Sequence, residues 1–123
     1  MLETQSLAAS SLLPFVPAQD YVLSQAFYQA LGFQSGYQDA QLTHFSLGDC
    51  AFYLQNFYLE ALAQNFVLQL LVPDLDAWWE RLQTQKLAEN YPIRLLPPET
   101  KPWGQRVLTL LDPSGVLWYI AQN

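Results

Sequence analysis

The predicted secondary-structure elements of this chain occur in the same order twice, and this repeat restricts the fold more than any other feature of the sequence. Each copy reads strand, helix and then three strands, and each helix starts at an aspartate suited to an N-cap, Asp20 or Asp74. Aligning these two aspartates gives an offset of 54 residues. One βαβββ unit is too small to bury its own sheet face, so two units are expected to pack side by side around a cleft.

The first copy is predicted from local patterns. Apolar residues recur at helical spacing behind Asp20 and Gly32 supplies a stop, which predicts a helix over residues 20–31. An apolar run at residues 12–16 predicts the first strand, with an edge or a break at Pro14 because proline has no amide hydrogen to donate. Further strands are predicted at residues 33–37, 42–47 and 51–55, and residues 56–65 form a connection in which a helical turn is one option.

The second copy repeats this order after the connection. A strand is predicted at residues 66–72 and a helix behind Asp74, and two final strands at 106–111 and 116–121 flank a turn. Residues 91–105 contain four prolines and a glycine, so they are expected to hold at most one short strand and a long loop.

The composition limits the classes of partner. Aromatic residues make up 15% of the chain and charged residues only 13%, and this surplus of aromatics predicts a subunit interface, a ligand cleft or both. The net charge of −6 argues against nucleic acid and against an anionic membrane surface, and it permits a cationic ligand. No apolar run is long enough for a membrane span.

Residues 1–11 are small and polar, and they are interpreted as a flexible arm rather than a secretory signal, so a cytoplasmic location is expected. Cys50 is the only cysteine, which excludes an internal disulfide, and a buried inert thiol is its expected state. Trp78 and Trp79 are adjacent on the second helix, so one of them covers an interface or sheet edge, or both are tucked under neighbouring loops.

Several segments carry a resemblance to a known family. The sequences VPAQD at residues 16–20, FY at 27–28 and LGF at 31–33 resemble the opening of the vicinal oxygen chelate superfamily, and DPSGVLW at 112–118 resembles its closing hairpin. Pro102-Trp103-Gly104 followed by Arg106 is similar to the bleomycin resistance proteins of that superfamily, as is the position of Pro14.

This resemblance runs from about Leu12 to the C-terminus and implies an α+β fold. It implies that two βαβββ modules, at about residues 12–60 and 61–123, form one domain with a curved mixed sheet around a cleft. It also implies a homodimer in which the N-terminal arms are exchanged beside Pro14.

The resemblance also indicates where metalloenzymes of the superfamily hold a divalent ion. The corresponding places in this sequence are occupied by Leu13, Tyr53, Val67 and Tyr119. Two aliphatic side chains and two phenols are not a ligand set for a divalent metal, so a protein without metal or other cofactor is expected.

Trp103 is the main candidate for ligand binding. It lies in a loop outside any amphipathic stripe, which suits either a lid over a core edge or a ligand platform, and the resemblance favours a platform that stacks on a flat heteroaromatic group. The residue at the place of that family's companion aromatic is Leu42, so Tyr37, Phe57 or Tyr58 is expected to offer the second face. The residues expected at the ligand site are Trp103, Tyr37, Leu42, Tyr53, Gln55, Phe57, Tyr58, Glu99 and Tyr119.

Three function hypotheses follow. The first is a binding protein without catalysis, in which Trp103 and an acidic field sequester a cationic glycopeptide antibiotic of the bleomycin type. The second is an enzyme of the same superfamily with a diverged site, whose acid–base candidates are His44, Tyr53 and Tyr119. The third is a scaffold for another small ligand. The carboxylates of Asp39, Glu60 and Glu99 are either solvated or available to a cation.

Overall fold

A computed structural model describes residues 6–123, and its strands and two longer helices follow the predicted order. They are β1 Phe15–Pro17, α1 Tyr21–Leu31, β2 Gln34–Gln38, β3 Leu42–Leu47, β4 Cys50–Gln55, α2 Glu60–Ala63, β5 Val67–Val72, α3 Leu75–Thr84, α4 Leu87–Asn90, β6 Arg94–Thr100, β7 Arg106–Leu111 and β8 Leu117–Gln122.

The strands form two four-stranded sheets of identical topology. The first sheet has the order β1-β4-β3-β2 and the second has the order β5-β8-β7-β6. In each sheet the first strand of the module runs parallel to the fourth, and the other neighbours are antiparallel. The predicted repeat of two βαβββ modules is therefore confirmed, with one mixed sheet for each module.

The helix boundaries come from the predicted caps. Asp20 accepts a hydrogen bond from the amide of Leu23 at 3.1 Å, and Asp74 accepts one from Ala77 at the same distance. Gly32 ends α1 with a φ of 124°, and Lys86, which lies one repeat further along the chain, follows α3 with a φ of 52°. The same aspartate cap thus starts the first helix of each module, and a residue with positive φ follows each helix.

Two strands differ from the predicted bounds by more than one residue. The first strand begins at Phe15 and leaves out Leu12 to Pro14, because the proline ends the amide ladder and only its carbonyl pairs, with the amide of Tyr53 at 3.0 Å. Strand β6 is longer than the short strand expected within residues 91–105. It lies at an edge of the sheet, and Pro97 and Pro98 occupy a bulge between Leu96 and Glu99, where missing donors cost little.

Both sheets pack on one hydrophobic core with the helices between them. Phe45 and Phe52 enter it from the first sheet, Trp118 and Ile120 enter it from the second, and Tyr28 on α1 contacts the aromatic rings of both sheets. Trp78 and Trp79 are both half-buried and pack against this core.

The segment before β1 has no regular secondary structure at residues 6–14. Leu7 and Leu12 are 99% and 94% exposed there. Residues 1–5 of the predicted arm lie outside the described residues. Cys50 is exposed at the start of β4, so the expectation of a buried thiol is wrong, because the turn before it leaves the side chain at the sheet end. Among residues 6–123, none of the helices is long and apolar enough to cross a membrane.

Candidate functional site

Each sheet has one face in the core and one face open to solvent. Side chains alternate along a strand, so the residues between the buried ones share the opposite face. We call the solvent side of β1–β4 the first open face and the solvent side of β5–β8 the second open face. Since both sheets turn their buried faces toward one shared core, the two open faces point away from it, and neither covers the other within one chain.

The second open face carries a pocket beside Trp103. Its volume is about 350 Å³. Gln69 and Tyr119 face each other across β5 and β8 in its wall. The lining residues are Gln69, Lys101, Pro102, Trp103, Val107 and Tyr119. An indole, a phenol and an amide around one apolar hollow suit a flat ligand with polar substituents.

Trp103 is the most exposed aromatic side chain of this 350 Å³ pocket, with 70% of its surface accessible. Its indole Nε1 donates to Oε1 of Gln105 at 3.2 Å, and Nε2 of Gln105 donates to the carbonyl of Gln122 at 3.3 Å. The loop is closed by the amide of Gly104, which donates to the carbonyl of Lys101, and Gly104 has a φ of 93° that favours glycine. The hydrogen bond to Gln105 thus orients the indole of Trp103, while the face of the ring stays exposed to solvent.

The charges next to this pocket are paired. Nζ of Lys101 lies 2.5 Å from Oε1 of Glu99, so the carboxylate expected to meet a cation already has one. Arg106 binds Asp76 on α3, with Nη2 to Oδ1 at 3.0 Å, and this contact raises the pKa of Arg106 and lowers that of Asp76. The ion pair ties the strand that follows the Trp103 loop to α3.

The first open face carries a row of aromatic rings across three strands. Phe15 on β1 packs against Tyr53 on β4 with ring centroids 5.0 Å apart, and Tyr53 meets the imidazole of His44 on β3 edge-to-face at 5.3 Å. Leu42 and Gln55 are paired in register two residues along the same strands. The structure therefore brings Tyr53, Leu42 and Gln55 together on one surface.

Tyr37 lies beside this row and is tied to Asp39. Its hydroxyl donates to Oδ2 of Asp39 at 2.7 Å, and Oδ1 of the same carboxylate accepts from the amides of Gln41 and Leu42. The hydrogen bond from Tyr37 is the main cause that lowers the pKa of Asp39. The same bond is the main cause that raises the pKa of Tyr37, and the nearby Tyr53 raises it slightly further. Asp39 thus shapes the β2–β3 turn and orients the phenol.

The remaining candidates lie elsewhere. Tyr58 packs against the hydrophobic core, and Phe57 is 46% exposed in the loop after β4, outside the pocket beside Trp103. Oε1 of Glu60 accepts a hydrogen bond from Gln64 on the exposed side of α2. Sequence reasoning did not single out Gln69, Lys101 and Val107 of the pocket. Gln69 did leave a signal, because it is the only polar residue of β5.

Comparisons with known proteins agree with this architecture. No family model matches the sequence, and a search of curated proteins returns no match. Among solved structures, a bleomycin resistance determinant encoded on the transposon Tn5 is 29% identical, with a TM-score of 0.78, and the match covers 94% of this chain and 98% of that one. A bleomycin-binding protein complexed with bleomycin is 28% identical, with a TM-score of 0.79 over 94% of this chain and 99% of that one.

A lactoylglutathione lyase from Agrobacterium tumefaciens shares the fold at 16% identity, with a TM-score of 0.70 over 94% of this chain and 96% of that one. These structural neighbours are proteins of the vicinal oxygen chelate superfamily. The predicted resemblance is therefore confirmed at the level of the superfamily, and bleomycin resistance proteins are among its structural neighbours.

The donor set does not fit the divalent metal of the superfamily's metalloenzymes. Tyr53 lies on the first open face, whereas Val67 and Tyr119 lie on the strands of the second, and Leu13 precedes β1. Within residues 6–123, no three or more His, Cys, Asp or Glu side chains group closely enough to hold a metal ion. An aliphatic side chain cannot bind such an ion and a neutral phenol is a poor ligand for it, so these four residues do not form a divalent-metal site.

Proposed function

We propose that this protein binds a cationic, partly aromatic glycopeptide of the bleomycin type and sequesters it without catalysing a reaction. The observation that carries the proposal is the exposed face of Trp103 above a pocket walled by Tyr119 and Gln69. A flat heteroaromatic group stacked on the indole would gain apolar contact while its amides reach the polar rim. Two structural neighbours are bleomycin-binding or bleomycin resistance proteins by their descriptions, which supports this ligand class.

The charge of the protein suits such a ligand. The net charge of −6 gives a negative field that attracts a cation over several ångströms, although Glu99 itself is paired with Lys101. The negative charges are therefore expected to raise the association rate of a cationic ligand rather than to form one specific contact. Added salt should slow association because it screens these charges.

We propose further that the complete cleft forms in a homodimer with exchanged N-terminal arms. The two open faces point away from the shared core, so a ligand held between them needs one face from each of two chains. Residues 10–14 border a hollow of about 420 Å³ that also touches β4 and β5, and Leu7 and Leu12 are left exposed. A second chain that accepts this segment beside Pro14 would cover those leucines. Sedimentation at micromolar concentration is expected to give a dimer, and a stable 14 kDa monomer would remove this part of the proposal.

The function itself is tested by titrating the purified protein with metal-free bleomycin, followed by tryptophan fluorescence and calorimetry. Two drugs per dimer and submicromolar affinity are expected. Trp103→Ala should weaken binding by more than about 1 kcal/mol, as expected for an aromatic anchor. Val22→Ala is the matched control, because Val22 is an exposed apolar residue on α1.

The outcomes separate the hypotheses. Equal affinity in Trp103→Ala and Val22→Ala would reject the platform, and no binding at tens of micromolar would reject the ligand class. The second hypothesis, a diverged enzyme, needs acid–base groups around one substrate. Within one chain, His44 and Tyr53 lie on the first open face and Tyr119 on the second, so the three candidates do not converge there.

A further inference from the structure

His44 has two unengaged ring nitrogens on the first open face. Ser24 Oγ is the one buried side-chain oxygen or nitrogen among residues 6–123 without a hydrogen-bond partner. The half-buried His44 also forms no side-chain hydrogen bond to these residues. Because its ring nitrogens are not among the buried atoms that lack a partner, they must be accessible at the surface. A neutral imidazole presents one donor and one acceptor, and both are available here to a ligand.

The space next to this imidazole is kept open by a glycine. A Cβ built on Gly36 of β2 would lie 3.3 Å from Nδ1 of His44, closer than most contacts of real Cβ atoms. Gly36 does not have a positive φ, so its backbone does not require glycine. What the missing side chain provides is therefore room beside Nδ1.

The imidazole is also held in a defined orientation. Tyr53 packs edge-to-face against it from β4, and Phe15 packs on the other side of Tyr53. The titratable groups on the adjoining strands are Tyr53, Tyr37 and Cys50. The carboxylate of Asp39, in the turn before β3, is occupied by Tyr37 and two backbone amides. An oriented side chain loses less entropy when a ligand binds than a free one does.

We propose that His44 is a ligand-binding residue of this face, which hydrogen-bonds an amide or amine group of a ligand whose flat part packs against Tyr53. The inference rests on the proposed function, since it assigns a contact within the same binding surface. It adds a polar contact on the first sheet to the stacking contact of Trp103 on the second.

The single histidine allows a direct test. His44 is the only histidine of the chain, so its ring C–H resonances in a proton NMR spectrum need no assignment among several candidates. Metal-free bleomycin is expected to shift them with the same midpoint as the tryptophan fluorescence titration. Resonances that stay in place at saturation would overturn the inference.

Three variants give the second readout. His44→Phe keeps a ring against Tyr53 but removes both nitrogens, and about five- to tenfold weaker binding is expected from the lost hydrogen bond. His44→Gln keeps a donor and an acceptor and should stay within about threefold of the natural protein. Gly36→Ala fills the space beside Nδ1 and should weaken binding several-fold.

The melting temperatures of these variants are compared first, so that only folded proteins are titrated. If the natural protein binds bleomycin and His44→Phe binds it equally well, the inference is wrong and the proposed function stands. If the natural protein does not bind bleomycin, the proposed function and the inference both fall.

Discussion

The hydroxyl of Tyr28 on α1 donates a 2.5 Å hydrogen bond to Oδ2 of Asp112 in the β7–β8 turn, and so joins the first module to the second. The same hydroxyl accepts from Nε1 of Trp118 at 2.9 Å, and Oδ1 of Asp112 accepts from the amides of Ser114 and Val116. Tyr28 is fully buried and Asp112 is 2% exposed. A buried network of this kind is costly to break, because any member left alone loses its partner away from water.

Replacing Tyr28 by Phe is expected to lower the free energy of unfolding by about 2 kcal/mol, since a buried carboxyl and an indole N–H each lose a partner. Urea denaturation followed by fluorescence measures this change. Tyr91→Phe is the matched control, because that ring also packs on Phe27 but its hydroxyl bonds to none of residues 6–123. A loss in Tyr28→Phe no greater than in Tyr91→Phe would contradict the role assigned to the network.

Asp112 is expected to give the stability of the protein an unusual dependence on pH. Burial raises the pKa of its carboxyl, and hydrogen bonds from Tyr28 and the turn amides offset part of the rise. A folded-state pKa above the unfolded one means that the folded protein holds the proton more tightly. The stability contributed by Asp112 is therefore complete below the unfolded pKa of about 3.9 and is lost as the pH rises through the folded-state pKa.

The measurement is the free energy of unfolding of the natural protein minus that of Asp112→Asn, across this pH range. The difference should fall with rising pH and then level off. Asp39→Asn gives the opposite control, since the hydrogen bond from Tyr37 lowers the pKa of Asp39 and its contribution should grow with pH. Stability differences that change in the same direction with pH for both aspartates would refute the assignment.

Lys86 has a backbone conformation that favours glycine. Its φ of 52° and ψ of 44° put it in the left-handed region two residues after the end of α3, and it lies one repeat after Gly32 in the chain. Lys86→Gly is expected to stabilise the protein by about 1 kcal/mol. A side chain in the left-handed region costs about 1–2 kcal/mol, and the larger conformational entropy that glycine loses on folding offsets part of the gain from removing it. Lys86→Ala removes the same charge without relieving the strain. Thermal unfolding should therefore show that this variant is no more stable than the natural protein.

The fold was predictable because its signals are local. Asp20 and Asp74 cap their helices within three residues, and alternation in residues 42–47 gives the strand without reference to the rest of the chain. Strand β6 was underestimated because two prolines argue against a strand interior. Only the pairing of Leu96 and Glu99 with β7 shows that the two prolines between them lie in a bulge at a sheet edge.

The site was predictable in part for a similar reason. Trp103 stands out because it lies in a loop between prolines and glycines, outside any buried stripe. Gln69 was missed because β5 reads as a nearly continuous apolar run, and its partner Tyr119 is fixed by a parallel pairing across fifty residues of sequence. The roles of His44 and Gly36 depend on a contact between neighbouring strands, which sequence spacing does not give.

Gln105 orients Trp103, so its loss should weaken ligand binding without removing the platform. Gln105→Leu deletes the acceptor for the indole Nε1 and the contact with the carbonyl of Gln122. A freed side chain must be immobilised again on binding, at a cost of about 0.5–1.5 kcal/mol, so calorimetry with bleomycin should show about two- to tenfold weaker affinity. Gln64→Leu, at the exposed C-cap of α2, should bind as the natural protein does. If Gln105→Leu also does, then Trp103 holds its orientation without this hydrogen bond.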